Sequence, residues 1–376
     1  MSNLSLMIKP AGGMCNLACK YCFYCDVIES RKTQNFTKTI MDYDTQKRLV
    51  LEALEYANGD EIYFAFQGGE PLLAGLDYYK NFVKLVKENN KLGSKIFYNI
   101  QTNGTLINTD WATFFKDNDF LLGLSLDGNK LSNVYRKTKY NIDTFDLVYE
   151  KTHILKRYKV DFNMLVVLTD LVSKNIKEIY QFFKKENLSF LQFTPCLNPF
   201  NKSSEKKFLT EKGMKIFLDE AFTLYAKDFL NDSYVSIRLF DNWVRIFLSE
   251  PPEQCGLMGY CYRQVVSEYN GDIYPCDFYC IDEYKLGNIN DTSLKTLLSS
   301  NIAKSFIESS FKIDSKCKDC KYYNICRQGG CKRLRQSDDF CKVYKEFFKK
   351  AEPLFNAIKL KILNEGKHFR RAYTDN

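Results

Sequence analysis

Histidine is almost missing from this chain. Of 376 residues only His153 and His368 carry an imidazole, and neither lies near a cysteine group in sequence, which weighs against zinc held by mixed cysteine and histidine ligands. No stretch is long and apolar enough to span a bilayer. The opening residues MSNLSLMIKPAGG contain no apolar run preceded by basic residues, so no secretory signal is expected. No internal repeat and no low-complexity linker breaks the chain. A net charge of +8 arises from 54 basic and 46 acidic residues that are interspersed, and the basic runs Lys332–Arg335 and Lys367–Arg371 are short, so neither a nucleic-acid nor a membrane partner is expected. With 45% hydrophobic and 15% aromatic residues the chain is globular, and the expected compartment is the cytoplasm, where thiols stay reduced.

Fourteen cysteines are present. In a reducing compartment they point to metal more than to disulfides. Four crowd near the start, Cys15, Cys19, Cys22 and Cys25; Cys196 stands alone; the other nine begin at Cys255.

The first two-thirds alternates short apolar segments with amphipathic ones. Leu4–Lys9, Ile62–Gln67, Lys95–Gln101, Phe120–Ser125, Asp161–Leu168 and Phe190–Pro195 read as strands, being short and rich in β-branched and aromatic residues. Asp44–Tyr56, Tyr78–Glu88, Thr144–Tyr158 and Asn175–Glu186 read as helices, with Asp44 and Thr144 as expected N-caps. Strand, helix, strand, repeated, implies an α/β protein with a parallel sheet, and six such units predict a partial (β/α)6 TIM-like barrel. PAGGMC, QGGEP, QTNGT, SLDGN, LTD and CLNP follow the strands; one such loop is an ordinary turn, but a row of them on one rim marks the end where barrel sites form. Composition shifts near Val235–Phe240. The expected division is a barrel over residues 1–236 and a cysteine-rich domain over 237–376, with Val343–Leu363 as a closing helix.

Cys15, Cys19 and Cys22 are spaced C-x-x-x-C-x-x-C. A 4Fe–4S cube takes four thiolates as a rule. Three would leave one iron open to a small molecule, whereas a fourth from Cys25 would close it, and spacing alone leaves both readings standing.

That spacing, with Tyr21 before the last cysteine, resembles the signature of radical S-adenosylmethionine (SAM) enzymes, and Gln67–Pro71, QGGEP, resembles their GGE segment. Further on, Cys261, Gly271 and Cys276 read C-x9-G-x4-C, and CKDCKYYNICRQGGC gives Cys317, Cys320, Cys326 and Cys331, with Cys341 after it. This resembles the SPASM domain of radical SAM enzymes that modify peptides and proteins. The segments LSLMIKPAGGMCNLACKYCFY, FAFQGGEPLLAGL, IQTNGTL, FLLGLSLDG and YPCDFY resemble anaerobic sulfatase-maturating enzymes over nearly the whole chain. Those enzymes oxidise a cysteine or serine of a sulfatase, in a C/S-x-P-x-R context, to Cα-formylglycine without oxygen.

The resemblance implies three 4Fe–4S clusters and SAM. Cys15, Cys19 and Cys22 would hold the cluster that binds SAM. Cys255, Cys261, Cys276 and Cys331 would hold one auxiliary cluster, and Cys317, Cys320, Cys326 and Cys341 a second. Tyr21, Gly69, Ser125, Arg136 and Leu197 correspond to SAM-contacting positions, Tyr24 and Gln67 to substrate contacts, and Asp277 to the general base. A 5′-deoxyadenosyl radical would take a hydrogen from the substrate Cβ, Asp277 a proton, and the auxiliary clusters the second electron. The implied partners are a sulfatase polypeptide, or another peptide, and a reductant such as flavodoxin or ferredoxin. Cys25, Cys196 and Cys280 are left over, Cys280 as a spare or swapped ligand. Two departures stand out. Four residues separate Cys326 from Cys331 where the family has three, and Ser125–Arg136 has Asn129 in place of proline and no histidine. The alternatives are a SPASM enzyme forming a thioether, a carbon–carbon crosslink or an epimer, and a cysteine-rich binding module with structural metal such as a double zinc ribbon. With the first cysteine at position 15 no leader-binding domain is expected ahead of it, which favours the sulfatase reading.

Overall fold

The structure, a computed structural model, describes residues 3–32, 40–199, 208–262, 264–335 and 338–365. His368 and the basic run 367–371 lie outside the described residues.

Six strands appear where the sequence places them, within one residue at each end: β1 (Leu4–Lys9), β2 (Ile62–Phe66), β3 (Ile96–Thr102), β4 (Phe120–Ser125), β5 (Phe162–Leu168) and β6 (Phe190–Pro195). They pair in chain order and in parallel. The helices that return the chain between or after them are α1 (Phe23–Glu29), α2 (Tyr43–Ala57), α3 (Leu76–Asn89), α4 (Thr109–Asp117), α5 (Phe145–Arg157), α6 (Asp170–Lys174), α7 (Ile176–Lys185) and α8 (Glu211–Leu230). β6 does not close onto β1. Instead β7 (Ser236–Ile237) lies beside β6, and β8 (Val265–Glu268) pairs in parallel with Leu6–Lys9 of β1. Two antiparallel strands, β9 (Asp272–Tyr274) and β10 (Gly287–Asn288), complete an open sheet of ten. The partial barrel therefore continues into the cysteine-rich region through β8.

The pleat decides which side chains pack against the helices and which, on the opposite face, reach the barrel interior. Leu4, Leu6 and Ile8, then Ile62, Phe64 and Phe66, then Phe120, Leu122 and Leu124 all lie in one apolar core. Rings stack across this layer, with Tyr98 and Phe120 centroids 4.9 Å apart and Phe64 edge-on to Phe82 at 5.0 Å. Successive side chains alternate faces, so Met7, Lys9, Gln67 and Ser125 fall on the opposite face, at strand C-terminal ends.

Two helix starts differ from expectation. Asp42, not Asp44, caps α2, accepting the N–H of Thr45 at 2.7 Å; a cap must precede the first helical residue in extended conformation, and Asp44 already lies inside the helix. Thr144 does precede α5 but makes no cap bond. Its hydroxyl donates to the Arg136 carbonyl at 2.8 Å instead, tying the Ser125–Arg136 segment to this helix.

After β7 come α9 (Arg238–Phe247), the short helices α10 (Leu294–Leu298), α11 (Asn301–Glu308), α12 (Ser315–Lys318) and α13 (Tyr323–Cys326), and the closing helix α14 (Asp338–Asn364). α14 is five residues longer at its start than the expected Val343–Leu363 and packs on α8 and α9, with Phe355 stacked on Phe247 at 4.3 Å and Phe348 edge-on to Trp243 at 5.0 Å. Among the described residues no helix is long and apolar enough to cross a membrane.

Candidate functional site

The loop after β1 carries Cys15, Cys19 and Cys22, all half-buried and unoxidised. It is laced to the QGGEP loop after β2: the Gly69 N–H donates to the Gly12 carbonyl at 2.9 Å and the Glu70 N–H to the Met14 carbonyl at 2.7 Å. A Cβ at Gly69 would sit 2.0 Å from the Met14 oxygen, so this close approach admits only glycine. The Glu70 carboxylate is spent internally. It accepts the N–H groups of Leu72 and Asn103 and the Thr102 hydroxyl, and burial pushes it up to about 7. It thereby fixes the β2 and β3 loops to one another.

Arg136 lies buried beside the first three thiols. Its guanidinium bonds Asp127 at 3.0 Å, faces the Tyr21 ring at 5.5 Å and reaches Cys19. Asp127 also takes the Tyr21 hydroxyl and the Val167 N–H. The Arg136 Nε is buried with no partner. Asn129, where proline was expected, accepts the Ser132 N–H at 3.1 Å, and Asn133 accepts the N–H of Asp127 at 3.1 Å. The altered segment thus builds its turn from asparagine side chains and still delivers Arg136. Ser125 ends β4 half-buried, and Leu197 follows β6, its carbonyl accepting the Cys196 thiol.

Burial pushes Cys15 up to about 12 and Cys19 to about 11. Cys22 is lowered to about 6, first by a hydrogen bond from Cys25 and against its own burial. Cys25 itself is exposed on α1.

Eight of the remaining ten thiols fall into two sets. Cys255 feels the charge of Cys331 and Cys261, and Cys276 that of Cys331 and Cys255. Cys326 feels Cys341, Cys317 and Cys320, and these four line one cavity, closed by Leu334, Phe340, Tyr344 and Phe348. Burial is the leading cause that raises Cys255 to about 12 and Cys326 to about 11. Thiols raised in this way become ligands only where cations repay their ionisation. Among the described residues no three such groups converge on one point, as a single-ion site requires; a cubane is gripped differently, by thiolates spread around its corners. Three thiols on one loop and two sets of four are donor sets that fit iron–sulfur clusters.

The extra residue between Cys326 and Cys331 is absorbed by backbone conformation. Arg327, Gln328, Gly329 and Gly330 all have positive φ, from 48° to 80°. A non-glycine residue in this region costs roughly 1–2 kcal/mol. The Arg327 guanidinium reaches the Leu257 carbonyl, the Gln328 side chain accepts the Asp314 N–H at 2.9 Å, and Cys331 is delivered to the Cys255 set.

Asp277, next to Cys276, is buried. Gln67 Nε2 donates to its Oδ2 at 2.9 Å and Lys9 Nζ lies 2.7 Å from its Oδ1. Its segment packs on α1, with Phe278 edge-on to Phe23 at 5.3 Å. Tyr24 is buried, its hydroxyl 2.7 Å from both oxygens of Glu268, and Arg31 pairs with the same carboxylate at 2.6 Å. Cys280 is wholly buried, 3.6 Å from Lys9 Nζ, and its charged neighbours are Lys9, Glu268, Asp277 and Arg31. Its thiol donates to the Cys276 carbonyl at 3.5 Å, so it lies between this polar network and the backbone of the Cys276 turn. Sequence reasoning missed Lys9, Arg31, Asp127 and Glu268. The available signal was a charged residue on the inward-facing parity at the end of a strand, as at Lys9 and Glu268.

Cys25→Ala, Cys196→Ala and Cys280→Ala are each expected to keep the full iron content of the anaerobically reconstituted protein. Loss of about four irons in any one makes that residue a ligand. Cys25, touching Cys22, is the sharpest of the three.

Comparison with known proteins agrees with this geometry. The family model for the Radical SAM superfamily matches residues 10–183, and one for an iron–sulfur cluster-binding domain, SPASM, matches residues 259–321. A cysteine-type anaerobic sulfatase-maturating enzyme of Clostridium novyi is 43% identical over 361 residues, covering 93% of this chain and 96% of the relative. One from Clostridium perfringens is 41% identical over 364 residues, covering 94% and 97%. The solved structure of native anSMEcpe with bound AdoMet and Cp18Cys peptide superposes with a TM-score of 0.89 at 39% identity, over 96% of this chain and 99% of that one.

Proposed function

Since the chain belongs to the cysteine-type anaerobic sulfatase-maturating enzymes of the radical SAM superfamily, we propose that it oxidises a cysteine, in a C-x-P-x-R segment of a sulfatase polypeptide, to Cα-formylglycine. The observation that carries this reading is the meeting of three groups at the strand C-terminal ends. They are the three-thiol loop, a four-thiol set containing Cys276, and Asp277, which adjoins Cys276, is held by Gln67 and sits on a turn packed against the helix that starts after Cys22.

Cys15, Cys19 and Cys22 would hold the 4Fe–4S cluster that binds SAM, the sets of Cys255 and Cys317 one auxiliary cluster each, and together these groups supply a hydrogen-abstracting radical and a sink for the second electron. This chain's residues do the rest. Arg136 offers the SAM carboxylate a guanidinium whose Nε is unspent, a planar donor suited to that group. Gly69 keeps the QGGEP backbone close to the cysteine loop, while Tyr21, Ser125 and Leu197 would contact SAM. Tyr24 and Gln67 meet the peptide. Asp277 accepts the thiol proton as the Cβ loses its hydrogen; this two-electron oxidation leaves a thioaldehyde, which water hydrolyses to formylglycine with release of hydrogen sulfide. A flavodoxin or ferredoxin would deliver the electron that begins each turnover. Residues 1–236 serve SAM and 237–376 serve the auxiliary clusters in this reading.

The test is anaerobic incubation of the reconstituted enzyme with SAM, a chemical reductant and paired peptides bearing C-x-P-x-R or S-x-P-x-R, read by mass spectrometry. The expected product is the aldehyde from the cysteine peptide. A thioether, a crosslink or an epimer in its place overturns the assignment.

A further inference from the structure

Lys9 ends β1 on the inward-facing parity of the strand and is completely buried. A lysine at a strand end can usually snorkel its ammonium to water; this one cannot. Its stem is walled by the turn that carries Gln67, since a Cβ on Gly68 (φ 127°) would come within 3.2 Å of the Lys9 Cβ. Its Nζ lies 2.7 Å from Asp277 Oδ1, 3.8 Å from Glu268 Oε1 and 3.8 Å from the centre of the Tyr24 ring. Burial opposes its charge, yet Asp277, Cys280 and Glu268 hold it above the ordinary lysine range.

The charges around this point balance in a specific way. Arg31 is committed to Glu268 and to the Cys280 carbonyl. Among the described residues Lys9 is the one cation paired with Asp277. Glu268 in turn anchors the Tyr24 hydroxyl. One ammonium therefore touches the carboxylate and the ring face of the tyrosine, and lies beside the carboxylate that holds the tyrosine's hydroxyl.

We propose that Lys9 is a positioning residue for the oxidation: its ammonium aims Asp277 and Tyr24 together at the substrate cysteine, and so couples radical formation to product. The inference rests on the roles given above to Asp277 and Tyr24. The competing view is a buried ion pair that merely joins β1 to the cysteine-rich region. Such a pair, when one partner is removed, destabilises the fold but does not selectively spoil the chemistry.

The experiment compares the parent, Lys9→Met, Asp277→Asn and the double variant as anaerobically reconstituted holoenzymes, given SAM, reductant and the C-x-P-x-R peptide. Iron, 5′-deoxyadenosine and oxidised peptide are measured in each. Lys9→Met should keep its iron and cleave SAM, with oxidised peptide per 5′-deoxyadenosine falling about 10- to 100-fold, the scale of a misplaced reacting group. In the Asp277→Asn background the same change should cost less than about threefold, because residues acting as a unit are not additive. An equal penalty in both backgrounds, or an unchanged ratio in Lys9→Met, overturns the proposal. Should Lys9→Met shed iron, the double variant decides: iron restored with the coupling of Asp277→Asn alone supports positioning, and iron still lost makes Lys9 structural. A parent inert on the peptide undoes the proposed function itself, a different failure from any of these.

Discussion

Changing Cys15, Cys19 and Cys22 together to Ala is expected to leave about eight of about twelve irons and to abolish SAM cleavage. The three thiols share one loop after β1, apart from both four-thiol sets. Their removal should empty one cluster and spare two. The side chains are half-buried rather than central to the core, and the loop's backbone bonds to Gly69 and Glu70 do not involve them, so the fold should survive. Iron analysis and 5′-deoxyadenosine assay of the anaerobically reconstituted variant check this. Continued formation of 5′-deoxyadenosine would mean that the open iron lies elsewhere. Loss of all iron would mean that the auxiliary clusters assemble only after the first.

Asp277→Asn should keep three clusters and SAM cleavage while formylglycine formation falls by ~10²–10⁴-fold, the usual contribution of a general base. The substitution preserves shape and removes the proton acceptor. An amide has one acceptor oxygen and one donor nitrogen. Both present partners of Asp277, Lys9 and Gln67, are donors, so asparagine can keep one contact and must lose the other. That disturbance is local, and the Cys276 thiol lies among its own set, near Cys331 and Cys255. 5′-Deoxyadenosine should then exceed oxidised peptide by a wide margin. Equal formylglycine yield from variant and parent would reduce Asp277 to a turn residue. Loss of iron would make it part of the cluster's scaffold.

Six strands were legible in the sequence because each is a compact apolar run bounded by turn residues, a local signal. The three-cysteine loop is likewise local, whereas the two sets of four were implied only by the resemblance to SPASM enzymes; in the folded chain Cys255 lies near Cys261 and Cys331, and Cys326 near Cys317, Cys320 and Cys341. What was not legible is short or distant. β8, β9 and β10 have two to four residues each, too few for periodicity to register. Asp44 and Asp42 are equally good caps on paper, and only the backbone angle before Tyr43 chooses between them.

The sequence by itself determined the parallel sheet, the rim on which the site lies and the cysteines grouped there, since alternation and ligand spacing are properties of neighbouring residues. Only the tertiary structure decided which charges meet. Lys9 and Asp277 are 268 positions apart, and their 2.7 Å contact exists because β8 pairs with β1 and brings Glu268 and the Cys276 turn over the strand's end. It likewise decided that the Cys280 thiol lies against both Lys9 and the Cys276 carbonyl, and that the four residues before Cys331 all take positive φ. Pairing between distant strands and the sign of a backbone angle leave no trace in local composition; they are fixed by what the whole sheet must bury.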